Sequence, residues 1–146
     1  MSIPTPPVGG QVVGLAHYAS RAALEAALAR IGSTFNQSVA LRAVSDQGGT
    51  VERDRLVGRL TGALKIEESV ADETVAEMTA LKLLTETDAS LVSLTEHGRE
   101  VFEEIRTAGN EIAARLYAGI PAEDLATVGR VLTLVTERAN AELAGG

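Results

Sequence analysis

The chain has 146 residues, 13 Lys plus Arg, 20 Asp plus Glu and a formal charge of −7. That length suits one compact domain burying roughly 70% of its unfolded surface, and a hydrophobic content of 45% excludes the disordered class. With no cysteine, disulfides, thiolate metal sites and a cysteine nucleophile are excluded. The acidic balance requires any nucleic-acid surface to be a local patch departing from the global sign. Trp is absent and aromatics make up 3%, so the core must come from Leu, Val, Ile and Ala.

The first twenty residues carry no Lys, Arg, Asp or Glu, yet Pro4, Pro6, Pro7, Gly9 and Gly10 interrupt them and no basic n-region precedes them. They fit neither a signal peptide nor a span, and the expectation is a soluble, cytoplasmic protein with no membrane partner. Residues 1–10 form a Pro/Gly arm. From Gln11 to Ile31 the chain is Ala-rich, with Leu15, Ala19, Ala22, Leu24, Leu28 and Ile31 near helical spacing and Gly32 as the stop. Ser33 or Thr34 caps a second helix through about Asp46, with Val39, Leu41 and Val44 inward. Gly48 and Gly49 break the chain. A short helix follows from about Glu52 on Leu56, Val57 and Leu60, and Gly62 is expected to end it. Ser69 to Leu81 reads as a fourth helix burying Ala71, Val75 and Met78 at i, i+4 and i+7.

Leu84, the polar stretch Thr85–Ser90 and Leu91-Val92-Ser93-Leu94 fit two short strands and a turn. Thr95-Glu96 opens a long helix to about Tyr117, with Gly109 its weak point. Gly119 follows that helix and Pro121 suits the first position of the next, where Glu123 and Asp124 favour the dipole. In this last helix Leu125, Val128, Leu132, Val135 and Ala139 are spaced 3, 4, 3, 4, a narrow heptad seam that packs against its own fold or, the favoured reading, against a second copy.

That order of elements resembles the MarR family of winged-helix transcription regulators over nearly the whole chain. Leu94-Thr95-Glu96-His97-Gly98-Arg99-Glu100 is similar to the family's LTxxGRE-type entry from wing to long helix. Val75, Met78, Leu83 and Leu84 match the recognition helix running into the wing, and Leu56, Val57 and Leu60 match the helix before it. Leu116-Tyr117-Ala118-Gly119-Ile120-Pro121 with the seam helix is similar to the family's C-terminal dimerisation region. The resemblance implies a mainly α fold with a small two- or three-stranded β wing, a winged helix-turn-helix, and a homodimer through the terminal helices. It implies residues 1–33 as arm and dimerisation helix, 34–99 as the DNA-binding region and 100–146 as C-terminal dimerisation helices, in one compact domain overall. Double-stranded DNA and a small-molecule effector are the further partners it implies.

The charge pattern departs from the family's. Its recognition helix tends to carry Arg, whereas here Asp72, Glu73 and Glu77 stand there, with Glu67 and Glu68 just before. The wing residues Thr87, Asp88, Ala89 and Ser90 include no basic residue, and the wing is several residues shorter than is usual. Residues 34–99 hold seven Lys/Arg against eleven Asp/Glu, net −4, so this half is no more basic than the rest at −3. Arg53, Arg55, Arg59 and Lys65 are the candidate phosphate contacts, with Ser69, Asp72 and Glu73 as the recognition-helix residues facing DNA. Arg55 and Arg59 share a helix face at i, i+4, and the alternative reading is a solvated face paired with Glu52 and Asp54. Lys82 ends the recognition helix, where it neutralises the dipole.

His17, Tyr18 and Arg21, with Phe35, Asn36 and Arg42 from the second helix, are the candidate lining of the ligand pocket that the resemblance implies; for His17 a helix–helix hydrogen bond is the plainer alternative. His97, Glu100 and Glu104 present metal-ligand spacing, but a lone His among surface carboxylates is ordinarily a solvated face, and no metal or cofactor is expected. No GxSxG, HExxH, phosphate-loop or GxGxxG pattern occurs, and no catalytic set assembles, so an enzyme is not expected. Two functional readings remain: a MarR-like homodimeric DNA-binding regulator responsive to a ligand, or a DNA-inert dimer of the same build that binds a small molecule or a protein.

Overall fold

The computed structural model describes residues 5–145. Six helices and three strands follow one another as α1 (Gly10–Ile31), α2 (Phe35–Asp46), β1 (Thr50–Glu52), α3 (Arg53–Leu64), α4 (Glu68–Ala80), β2 (Leu84–Glu86), β3 (Leu91–Leu94), α5 (Glu96–Leu116) and α6 (Ala122–Gly145). The chain divides into two compact units, residues 1–112 and 113–146. Pro4 and the residues before it, the start of the expected arm, lie outside the described residues, as does Gly146.

Local chemistry sets the boundaries. Gly32, at φ 84°, ends α1 in the left-handed region, and the next amide, Ser33 N–H, bonds back to the Leu28 carbonyl at 3.0 Å. Of the two candidate caps it is Thr34 that starts α2. The Gln37 amide donates to Thr34 Oγ1 at 3.2 Å and the Thr34 amide donates to Gln37 Oε1 at 3.4 Å, a reciprocal capping box.

Gly62 does not end α3. The helix runs on to Leu64 and stops at Lys65 in the left-handed region. An internal glycine costs a helix only about 1 kcal/mol, and Leu60 and Leu64 on the inner side offset it by packing on the core. Gly109 likewise lies inside an unbroken α5. Pro121 sits one place earlier than expected, its carbonyl accepting the first helical bonds of α6 from Asp124 and Leu125.

The sheet is antiparallel in the order β1-β3-β2. Val51 pairs with Val92 on one side of β3, and Glu86 pairs with Val92 on the other. β1 has no sequence signature: three residues are too few to show alternation, and its partner is some forty positions away. Leu28, Leu41, Val44, Leu56, Leu60, Val75, Met78, Leu84 and Val92 are fully buried and form one aliphatic core in residues 1–112.

The segment Thr95–Arg99 locks wing to helix. Thr95 Oγ1 donates to the Lys82 carbonyl and accepts from the Gly98 amide at 2.9 Å. A side chain at Gly98 would put its Cβ 2.1 Å from the Leu83 carbonyl oxygen, so only glycine lets α5 leave the sheet at this closeness.

Candidate nucleic-acid interface

α3 and α4 form a helix-turn-helix joined by residues 65–67. α4 turns Ala71, Thr74, Val75 and Met78 into the core, which leaves Ser69, Glu73, Ala76 and Ala80 exposed and Asp72 half-buried beside them. Behind α4 the β2–β3 hairpin closes on a minimal loop. The Thr87 amide bonds to the Leu91 carbonyl, the Ser90 amide bonds to the Thr87 carbonyl, and Ser90 takes φ 58°. This is a three-residue turn ending in the left-handed region. Thr87, Asp88, Ala89 and Ser90 are all exposed at the tip, and none of them carries positive charge.

The four candidate cations have different surroundings. Arg53 is committed internally: its Nη1 lies 3.1 Å from Glu86 Oε2 on β2 and its Nη2 lies 3.7 Å from Asp72 Oδ1 on α4. Its backbone amide donates to the Ser90 carbonyl at 2.9 Å, so one residue ties α3 to both α4 and the β2–β3 hairpin. Lys65 Nζ donates to the Gly62 carbonyl, neutralising the C-terminal end of α3. Arg55 and Arg59 are exposed on α3 and, among the described residues, make no ion pair or side-chain hydrogen bond. Neither Glu52 nor Asp54 pairs with them. Lys82 is exposed just past α4, in the left-handed region at φ 61°.

A cleft of about 290 Å³ lies between α1, α2 and α4. It brings together three of the expected pocket residues, Arg21, Phe35 and Asn36, and adds Glu25, Thr34, Val70, Glu73, Thr74 and Glu77. His17, Tyr18 and Arg42 do not line it. His17 and Tyr18 are exposed on α1 with ring centroids 5.5 Å apart, and Arg42 is exposed on α2. Arg21 lies 4.1 Å over the Phe35 ring and 3.0 Å from Glu25 Oε1. The cleft's one cation is therefore engaged, while Glu73 and Glu77 face it unpaired among the described residues. The α4 stripe Val70, Glu73, Thr74, Glu77 has helical spacing and was within reach of the sequence. Glu86 was not, because nothing local marks it as the partner of Arg53. Among the described residues no three His, Asp or Glu side chains are placed to hold a metal ion, His97, Glu100 and Glu104 included.

By sequence, no protein-family model and no curated protein matches this chain. By structure, it is similar to the organohalide-sensing transcriptional regulator RdhR in its ligand-free form, with a TM-score of 0.77 at 16% identity over 88% of this chain and 77% of that one. It is similar to CouR of Rhodococcus jostii bound to p-coumaroyl-CoA, with a TM-score of 0.75 at 18% identity over 87% of this chain and 90% of that one. A MarR family protein of Mycobacterium tuberculosis in complex with DNA matches with a TM-score of 0.69 at 18% identity over 90% and 98%. The chain has the MarR winged-helix fold.

Within that MarR fold the seam residues of α6 are exposed or half-exposed in the single chain. No α6 residue is buried: Leu125 and Leu132 are half-exposed, Val128 is 52% exposed, Val135 is 45% exposed and Ala139 is exposed. α1 is similarly bare, with Leu28 its one buried residue. Among the described residues no helix is long and apolar enough to cross a membrane.

Proposed function

We propose that this chain is a MarR-like homodimeric transcription regulator that binds double-stranded DNA and responds to a small-molecule effector. The observation that carries the reading is the exposed α4 set beside a short wing, in a fold shared over nine-tenths of the chain with a regulator held on DNA. Residues 34–99 serve as the DNA-binding part, with Arg55 and Arg59 as its accessible cations and Ser69, Asp72 and Glu73 nearest the base edges. Residues 1–33 and 100–146 form the dimer through α1 and the α6 seam, since apolar faces of that length are not left to water in a stable protein. Two recognition helices then read half-sites about one helical turn apart. The effector occupies the cleft around Arg21, Phe35 and Asn36. A ligand touching Glu73 and Glu77 there acts directly on the helix that reads DNA, and the coupling works in both directions.

Titration with fragments of the protein's own genome, its own promoter included, tests the reading. A preferred fragment at low and moderate salt is expected, and equal affinity for all fragments would refute it. Sedimentation at micromolar concentration should show a dimer, and Leu132→Asp in the seam should yield monomers.

A second reading, a dimer that binds a small molecule or a protein without DNA, is favoured by one observation. Residues 52–88 hold five Lys/Arg against nine Asp/Glu, and one of the five is bound by two of the acids. Effector binding with DNA inert at every salt concentration would select it.

A further inference from the structure

Arg53 lies where the recognition helix, the wing and the start of α3 meet. It is 26% exposed on its side chain, against 48% for Asp72 and 32% for Glu86, so the cluster is open to an incoming anion. Two carboxylates share one guanidinium there, leaving a net charge of −1 at the junction that a duplex must approach. A guanidinium binds phosphate and carboxylate oxygens with the same donor fork. We propose that Asp72 and Glu86 occupy Arg53 in the place of a DNA phosphate, so that the unbound chain competes internally for one of its own backbone contacts. The main chain of Arg53 is fixed by the Ser90 carbonyl, so only its side chain has to move for the exchange.

The inference rests on the reading that α4 and the wing face DNA. It differs from a general charge effect in requiring Arg53. A partly exposed pair of this kind shifts an equilibrium by up to about fivefold. Glu86→Gln is therefore expected to bind duplex DNA about twofold to fivefold more tightly than the wild type. Its salt dependence should steepen by about 0.9 in log–log slope for each protomer engaged, the value of one added phosphate contact. Asp72→Asn, at the longer distance, should give a smaller gain.

The experiment titrates a mixed-sequence DNA duplex into the full chain by fluorescence anisotropy between about 50 and 200 mM salt. It uses the wild type, Glu86→Gln, Asp72→Asn, Arg53→Gln, the double variant Arg53→Gln/Glu86→Gln, and Glu67→Gln as a neighbouring acid that does not touch Arg53. Melting curves confirm that each variant is folded. A gain in Glu86→Gln that exceeds that of Glu67→Gln and vanishes in the double variant supports the proposal. A gain that survives without Arg53, or slopes that are equal throughout, overturns it while leaving the DNA reading intact. Absence of binding by the wild type and every variant overturns both.

Discussion

Gly98→Ala tests the packing that holds the wing to the long helix. The added Cβ would lie 2.1 Å from the Leu83 carbonyl oxygen and 3.0 Å from its carbon, where ordinary contact begins at 3.4 Å. Relief needs a backbone shift of more than an ångström, and backbone cannot swing aside as a long side chain can. The same oxygen accepts from the Thr95 amide at 3.1 Å and from Thr95 Oγ1 at 3.2 Å. Overpacking alone costs about 1–3 kcal/mol, and weakening either bond adds about 1 kcal/mol. We expect a loss of about 3 kcal/mol, or about 10 °C in melting temperature for a chain of this size. The assay is urea unfolding followed by far-UV circular dichroism, at fixed protein concentration because the stability of the proposed dimer would depend on it. Gly62→Ala is the control: a Cβ there meets nothing within 4 Å, and the variant should gain about 0.5–1 kcal/mol from helix propensity. If Gly98→Ala unfolds within about 0.5 kcal/mol of the wild type, the close approach of Leu83 to α5 is wrong.

Thr34→Ala removes the side-chain acceptor of the Gln37 amide, one arm of the capping box, and should cost about 1 kcal/mol in the same assay, while Thr34→Ser should cost little. Lys82 holds a left-handed conformation that L-residues enter at a cost of about 1–2 kcal/mol. Lys82→Gly should therefore raise stability by up to about 1 kcal/mol once the greater freedom of glycine in the unfolded chain is set against it. The cleft carries Glu25, Glu73 and Glu77 against the already paired Arg21. By calorimetry a neutral phenol should therefore bind there more tightly than an aromatic carboxylate of similar size.

The fold was legible wherever local chemistry and periodicity agreed. Gly32, Thr34 and the i, i+4, i+7 set Ala71, Val75, Met78 each encode a boundary or a buried face within one or two helical turns, and the helices stand there. β1 was not legible, because its existence depends on pairing with β3 rather than on its own three residues. Gly62 misled for a related reason: local propensity argues for a break, but burial of Leu60 and Leu64 decides the matter, and burial is a tertiary fact. At the candidate site the sequence yielded the sign of the charge but not its pairing. Asp72 lies on α4 and Glu86 on β2, and only the folding back of the hairpin brings both to Arg53. The expected partners of Arg55 and Arg59, Glu52 and Asp54, are adjacent in sequence yet make no bond to them.

For the proposed DNA-binding role, that pairing pattern sets the expected response to salt. On the α3–α4–wing face Arg53 is occupied by carboxylates and Lys65 Nζ by the Gly62 carbonyl, while Arg55 and Arg59 remain open. A dimer engaging those two from each protomer neutralises about four phosphates, for a log–log slope near −4. Between about 50 and 200 mM salt, affinity should then fall by about two orders of magnitude, against three to five for proteins making 6–10 contacts. The acids reinforce the limit, since a carboxylate about 7 Å from a phosphate costs about 0.6 kcal/mol in water and about 2 kcal/mol at an effective dielectric near 20. Arg55→Ala and Arg59→Ala should each make the slope shallower by about 2 per dimer, and anisotropy titrations across the salt range measure it. A wild-type slope near −7, the value for about eight contacts, would mean that Arg53 and Lys65 already reach phosphate. A slope unchanged by both substitutions would remove α3 from the interface altogether.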